Sequence, residues 1–338
     1  MQSTLRIGLL LGLCVCLFVT HFTFADDQAP AVESRAAINA TPSLLAHCDH
    51  SDHSDHSGPP DCCCEDQVGL LDHLSLFLGL EGSKQPQEFG VNAHFGGRFA
   101  ADIGVPLVEE LGIGLQVGTS VNYTDNAVQV FERFGEATGR FQNYTTVGLF
   151  QRQDSGLIWG GAVDYLHQTY YDTADLVQFR GRVGWQFTEN TEVGFLGAFS
   201  DDSDRNRVAG IPVTLTPLSQ GSVYFNQRWE NHAETMIWLG IAESHGERNL
   251  AFEALLGDPR QNSVSERLVF GAEIHVPLSD HMALFGQGNF ILPADSGTVD
   301  SFLGIAVYPF GGAKQSRRSR YAPLLPVANS TTFSVDLR

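Results

Sequence analysis

After its first 25 residues the sequence has no run of about 18 apolar residues, so no helical membrane span follows. Positive charge is also scarce: 20 Lys and Arg stand against 39 Asp and Glu, a net charge of -19. Nucleic-acid binding relies on clustered Lys and Arg, so that partner class is excluded. Only 17% of the residues are charged at all, while glycine (35) and phenylalanine (23) are plentiful among the 338. That balance favours a β-rich chain over a helical one.

The N-terminus places Arg6 before an apolar run at residues 7–19, and Ala25 in "HFTFADD" closes a small-residue cleavage pattern. This is the layout of a secretory signal, so residues 1–25 are read as a signal peptide and the chain as exported.

A linker over 26–71 follows, carrying "HCDHSDHSDHSGPPDCCC" at residues 47–64. A polyproline-like chain would set His50, His53 and His56 on one side about 9 Å apart, so a shared ion needs the chain to bend. Neutral imidazole and thiolate can hold Zn, Cu or Ni opportunistically, which makes His47, Cys48, His50, His53, His56, Cys62, Cys63 and Cys64 the candidate metal ligands. A structural zinc site wants spaced pairs of ligands, which "CCC" does not supply. Cross-linking through Cys48 is the other chemistry open to an exported chain. The segment reads as a disordered tether, with no required cofactor.

From Phe89 onward the pattern has period two. In "FGVNAHFGGRFAADIGV" one face carries Phe95, Phe99, Ala101 and Ile103, and the other carries Asn92, His94, Arg98 and Asp102. "GIGLQVGTSVNY" and "LVQFRGRVGWQF" repeat the alternation. Such segments fall near 89–105, 112–123, 141–152, 157–168, 176–188, 191–200, 222–229, 234–243, 249–256, 266–278, 281–292 and 299–310. Their length suits membrane-crossing strands. So many antiparallel strands need closure to remove their edges, which predicts an all-β, up-and-down β-barrel of about twelve strands over 72–312. Tyr123, Trp159, Tyr165, Tyr170, Tyr171, Trp185, Phe187, Trp229, Tyr308 and Phe310 lie near strand ends and are expected to form interfacial girdles.

Short connections at 106–111, 153–156, 188–191, 230–233 and 278–281 alternate with longer ones at 124–140, 201–221 and 257–265, as in outer-membrane barrels. A first strand at 89–105 would put its short turn on the wrong rim. An additional strand in "DHLSLFLGLEG" (72–82) restores the orientation, and a last one in "TTFSVDLR" would make fourteen. Residues 313–338 are read as a basic connector, "KQSRRSR", and a C-terminal tail; the connector could meet anionic headgroups.

The stretches "GLEGSKQPQEFGVNAHFGGR", "VFERFGEATGRFQNYTTVGLFQR", "YYDTADLVQFRGRVGW" and "PADSGTVDSFLGIAVYPFGG", with the ending "APLLPVANSTTFSVDLR", resemble an uncharacterised family of exported planctomycete proteins of unknown function. The resemblance covers most of 72–338 and implies a barrel-like cell-envelope domain with no activity to carry over.

Candidate lumen-facing groups are His94, Arg98, Asp102, Asp164, Arg180, Arg182, Arg228, Glu253, Glu273 and His275. Mixed charges inside a barrel pair with one another, since an unpartnered buried charge is costly. "ESHGE" (243–247) sets neighbouring residues on opposite faces, and "DDSDRNR" (201–207) lacks the glycine and glutamate of a calcium loop. No catalytic set emerges. The sequence therefore predicts a non-enzymatic outer-membrane barrel, acting as passive pore or structural envelope protein and bordered by outer-membrane lipid; the alternative is a periplasmic or surface binding module with a metal-sequestering arm.

Overall fold

A computed structural model describes residues 71–337 apart from 86, 88–92, 128–138, 171, 201, 209–210, 244–265, 293–297 and 316. Residues 1–70, with the expected signal peptide, all but the last residue of the expected linker and all eight candidate metal ligands, lie outside the described residues, as do Tyr171 and Glu253. Among the described residues there is no α-helix.

The strands in chain order are β1 (Ser75–Lys84), β2 (His94–Val108), β3 (Ile113–Asn126), β4 (Arg140–Arg152), β5 (Leu157–Thr169), β6 (Thr173–Thr188) and β7 (Thr191–Ser200). Then come β8 (Asp204–Val208), β9 (Ile211–Pro217), β10 (Gln220–Arg228), β11 (Glu234–Glu243), β12 (Glu266–Pro277), β13 (Met282–Ile291), β14 (Thr298–Val307) and β15 (Val335–Leu337). Twelve of them close a barrel in the order β1-β14-β13-β12-β11-β10-β7-β6-β5-β4-β3-β2, and β15-β9-β8 form a separate sheet. Closure runs through β1, which pairs antiparallel with both β14 (Leu80 opposite Leu303) and β2 (Leu78 opposite Phe99).

The count of twelve holds with a different membership. The leading segment is the barrel's first strand. Segment 249–256 lies outside the described residues, and β11 pairs directly with β12. The fourteen-strand alternative fails at the C-terminus, where Val335, Asp336 and Leu337 pair with β9 instead of the barrel wall. With β1 in place, the short turns share one rim with the start of β1, and most of the long loops share the other, which resolves the orientation.

Alternation decides which face each side chain takes, because successive residues of a strand point to opposite sides. In β4, Arg140, Gln142, Tyr144 and Thr146 are buried toward the lumen, while Phe141 and Leu149 are exposed. The outside carries an apolar belt that includes Leu78 (68% exposed), Phe195 (65%), Leu239 (58%) and Ile237 (57%). A water-facing surface rarely carries so continuous an apolar area. Tyr123, Tyr165, Trp185, Phe187, Trp229 and Phe310 are exposed near the strand ends, as expected of girdles. Tyr170 and Tyr308 depart from that expectation: both are buried, Tyr170 against His94 and Tyr308 against His275.

Candidate functional site

The lumen is lined by arginines, carboxylates and amides, and each charged group sits where alternation turns it inward. Arg180 on β6 forms a two-pronged ion pair with Asp164 on β5, whose Oδ1 also accepts from Thr146 Oγ1 at 2.7 Å. Arg182 donates to Glu192 on β7 at 2.7 Å and to Tyr224 Oη on β10 at 3.1 Å, while the Tyr224 hydroxyl donates to the same carboxylate. Arg228 holds Glu234 at 3.0 Å. Arg98 donates to Ser120 Oγ at 3.1 Å, and its guanidinium lies over the Phe302 ring at 4.2 Å. Asp102 accepts from Ser75, and His275 Nε2 meets Tyr308 Oη at 2.9 Å. His94 is 1% exposed and stacks edge-on against Tyr170, with the ring centroids 4.8 Å apart. The candidates thus fall into several separate networks spread along the wall, with no single site.

What joins them is the C-terminal segment, which enters the lumen. At the short-turn rim, Ala313 N donates to Asp280 O at 2.8 Å, and Lys314 meets the Asp280 carboxylate at 2.8 Å. That bond and the Lys314 charge hold the Asp280 carboxyl below the usual carboxylate range. Within "KQSRRSR", Arg317 turns inward onto Glu273 and Glu234, while Lys314, Arg318 and Arg320 stay exposed. Residues 321–336 then run buried through the barrel. Arg152 near the short-turn rim donates to Ala322 O at 2.6 Å, Gln116 meets Leu324 and Leu325, and Thr146 Oγ1 accepts from Ala328 N at 2.9 Å. Ser330 donates to Glu81 and Gln142, and Thr331 donates to Gln287 at 2.8 Å. Beyond that point Phe333 is fully buried among Tyr144, Leu166, Leu176 and Leu215, and β15 joins β9 at the long-loop rim. The tail therefore crosses from one rim to the other.

Among the described residues, cavities beside it include one of about 70 Å³ against Met236, Trp238 and Asn289 and one of about 80 Å³ against Phe77, Asp102 and Phe285. On a scale of ~10–15 Å³ per enclosed water, each has room for a few waters. Among the described residues, no group of three or more His, Cys, Asp or Glu is placed to hold a metal ion.

Sequence reasoning missed the wall residues that grip the tail: Glu81, Gln85, Gln116, Gln142, Gln178 and Gln287. Alternation does turn Gln116 and Gln142 inward; what the sequence withholds is their partner.

No curated protein matches the chain in sequence. Among solved structures it is similar to the beta domain of the Bordetella autotransporter BrkA, at 14% identity and a TM-score of 0.38, covering 70% of this chain and 98% of that one. It is similar to the translocator domain of autotransporter NalP from Neisseria meningitidis, at 10% identity and a TM-score of 0.40, covering 70% and 87%. For the KdgM porin the values are 8% and 0.34, covering 69% and 98%. A family model described as "family of unknown function (DUF6666)" matches residues 73–335, and the chain belongs to that family.

Proposed function

We propose that the protein is an exported, non-enzymatic outer-membrane β-barrel that is closed by its own C-terminal segment and serves as a structural component of the envelope, not as a passive pore. The observation that carries this reading is the tail: residues 321–336 occupy the lumen along its length and bond to wall side chains on β1, β3, β4, β6 and β13. The exterior supports the membrane location, since its aromatic and aliphatic side chains gain by facing acyl chains and would cost solubility in water. Neighbouring lipid is then the principal partner. The lumenal carboxylates Asp164 and Glu192 are held by Arg180 and Arg182, as suits a packed interior.

Two measurements test the reading. Mature chain extracted from washed membranes should migrate differently boiled and unboiled, and its presence as a folded species in the soluble fraction would refute the membrane location. In a planar bilayer the same protein should stay almost silent across voltages. A steady ohmic conductance from the intact chain would refute occlusion and restore the pore.

A further inference from the structure

We infer that the lumen is a binding channel for an extended polypeptide, read through its backbone, and that the C-terminal segment is the ligand it holds in cis. The inference goes beyond closure, because it concerns how the wall recognises what fills it. Over residues 324–328 the wall addresses main-chain atoms. Gln116 Oε1 accepts from Leu324 N and Leu325 N at 3.1 Å each, while its Nε2 donates to Leu325 O at 2.7 Å. Arg182 donates to Leu324 O at 3.5 Å, Arg180 to Pro326 O at 2.7 Å, and Thr146 accepts from Ala328 N. Toward the far rim Gln178 donates to Thr332 O at 2.9 Å, and Gln85 reaches Ser330 O and Phe333 O at 3.3 Å and accepts from Val335 N at 3.4 Å.

Every residue but proline offers the same carbonyl and amide, so a wall built from amide and guanidinium side chains grips a chain with little regard to its side chains. The two arginines that reach tail carbonyls within this stretch, Arg180 and Arg182, are already neutralised by Asp164 and Glu192, so they present donors without demanding a carboxylate from the ligand. The side chains of Leu325, Val327 and Ala328 are buried along the same stretch, and further side-chain contacts flank it. Leu324 packs on Phe150 and Ile158, and a turn closed by Phe333 N donating to Asn329 O at 2.9 Å sets Ser330 and Thr331 on wall groups and Phe333 in its apolar pocket. The channel therefore combines a stretch held by main-chain bonds, 325–328, with a clasp held by side chains, 330–333.

The test starts from the full chain, folded in detergent with a site-specific protease site inserted after the exposed Lys314, and then cut. Fluorescent peptides of residues 317–338 are added, and the unboiled gel shift confirms that the cut barrel stays folded. The parent peptide should exchange in at one per barrel. A Leu325→Met peptide, which keeps the buried volume, should bind nearly as well, whereas N-methylation at Leu325 and Ala328, which removes two backbone donors, should weaken binding by about tenfold or more. N-methylated peptide binding as tightly as the parent would overturn backbone reading. Failure of the parent peptide to enter a folded, cut barrel would also overturn it, by showing the tail to be an integral part of the fold. Because binding is read in detergent, neither outcome bears on the membrane location or on the silence of the intact chain.

Discussion

Gln116 and Leu325 are paired as two neighbouring strands would be: the Gln116 amide donates to the Leu325 carbonyl at 2.7 Å and accepts from the Leu325 amide at 3.1 Å. One side chain thus stands in for a strand edge and satisfies three main-chain groups of the tail, counting Leu324 N. Gln116→Leu is close in volume and leaves those groups buried without partners, a cost of roughly 1–3 kcal/mol. The temperature at which the unboiled gel form converts to the boiled one should fall. An unchanged conversion temperature would mean that water replaces the amide and the pairing stabilises nothing.

The Arg182, Glu192 and Tyr224 network predicts an asymmetry between single and double variants. Removing one member of a buried ion pair strands the other, at ~3–5 kcal/mol. Arg182→Met should therefore reduce folded yield sharply, and Glu192→Gln, which keeps a partial partner for the guanidinium, less so. The Arg182→Met/Glu192→Leu double variant should recover stability relative to Arg182→Met alone, because it leaves no lone charge. A double variant that simply adds the two losses would show that the pair does not act as a unit.

The barrel was legible from residues because each strand states its own two faces. Val117, Val121 and Tyr123 against Gln116, Ser120 and Asn122 is a pattern that needs no knowledge of neighbours, and the observed burial of β3 follows it. The tail was not legible. "APLLPVANSTTF" carries two prolines, which break ladders and helices, and has no period-two alternation. Its conformation is set by partners more than a hundred residues away, such as Gln116 and Thr146. The same non-local dependence hid Arg317 within "KQSRRSR": a cation beside exposed cations reads as a solvated connector until Glu234 and Glu273 are found opposite it.

Glycines of the wall divide into two kinds, and substitution should separate them. A Cβ on Gly96, which faces inward on β2, would stand 2.1 Å from the Tyr123 carbonyl oxygen and 2.6 Å from Thr124 Cα on the paired strand. Gly96→Ala must push two strands apart, costing roughly 1–3 kcal/mol or more. Gly221 faces outward in a row with Gly197, Gly181 and Gly161, and a Cβ there meets nothing within 4 Å. Gly221→Val should be neutral or stabilising by up to ~1 kcal/mol, as its better strand propensity predicts. Conversion temperatures of the two variants read side by side check this, and equal losses would contradict the open outward face.

The exterior gives the sharpest division between a barrel in lipid and one in water. Leu239, 58% exposed, lies in the middle of β11 between Val223 and Phe270 on the flanking strands. In water Leu239→Arg replaces an exposed apolar group by a solvated charge, a change usually within ±0.5 kcal/mol and favourable to solubility. In a bilayer the same arginine sits near the midplane, at a cost of about 2–4 kcal/mol. The comparison needs one substitution and two media. If the barrel is bilayer-spanning, denaturant midpoints in lipid vesicles should drop strongly for Leu239→Arg, and much less in detergent micelles, where headgroups and water reach the side chain. Equal midpoints in vesicles for variant and parent would place β11 outside the hydrocarbon. The apolar belt would then have to be covered by protein.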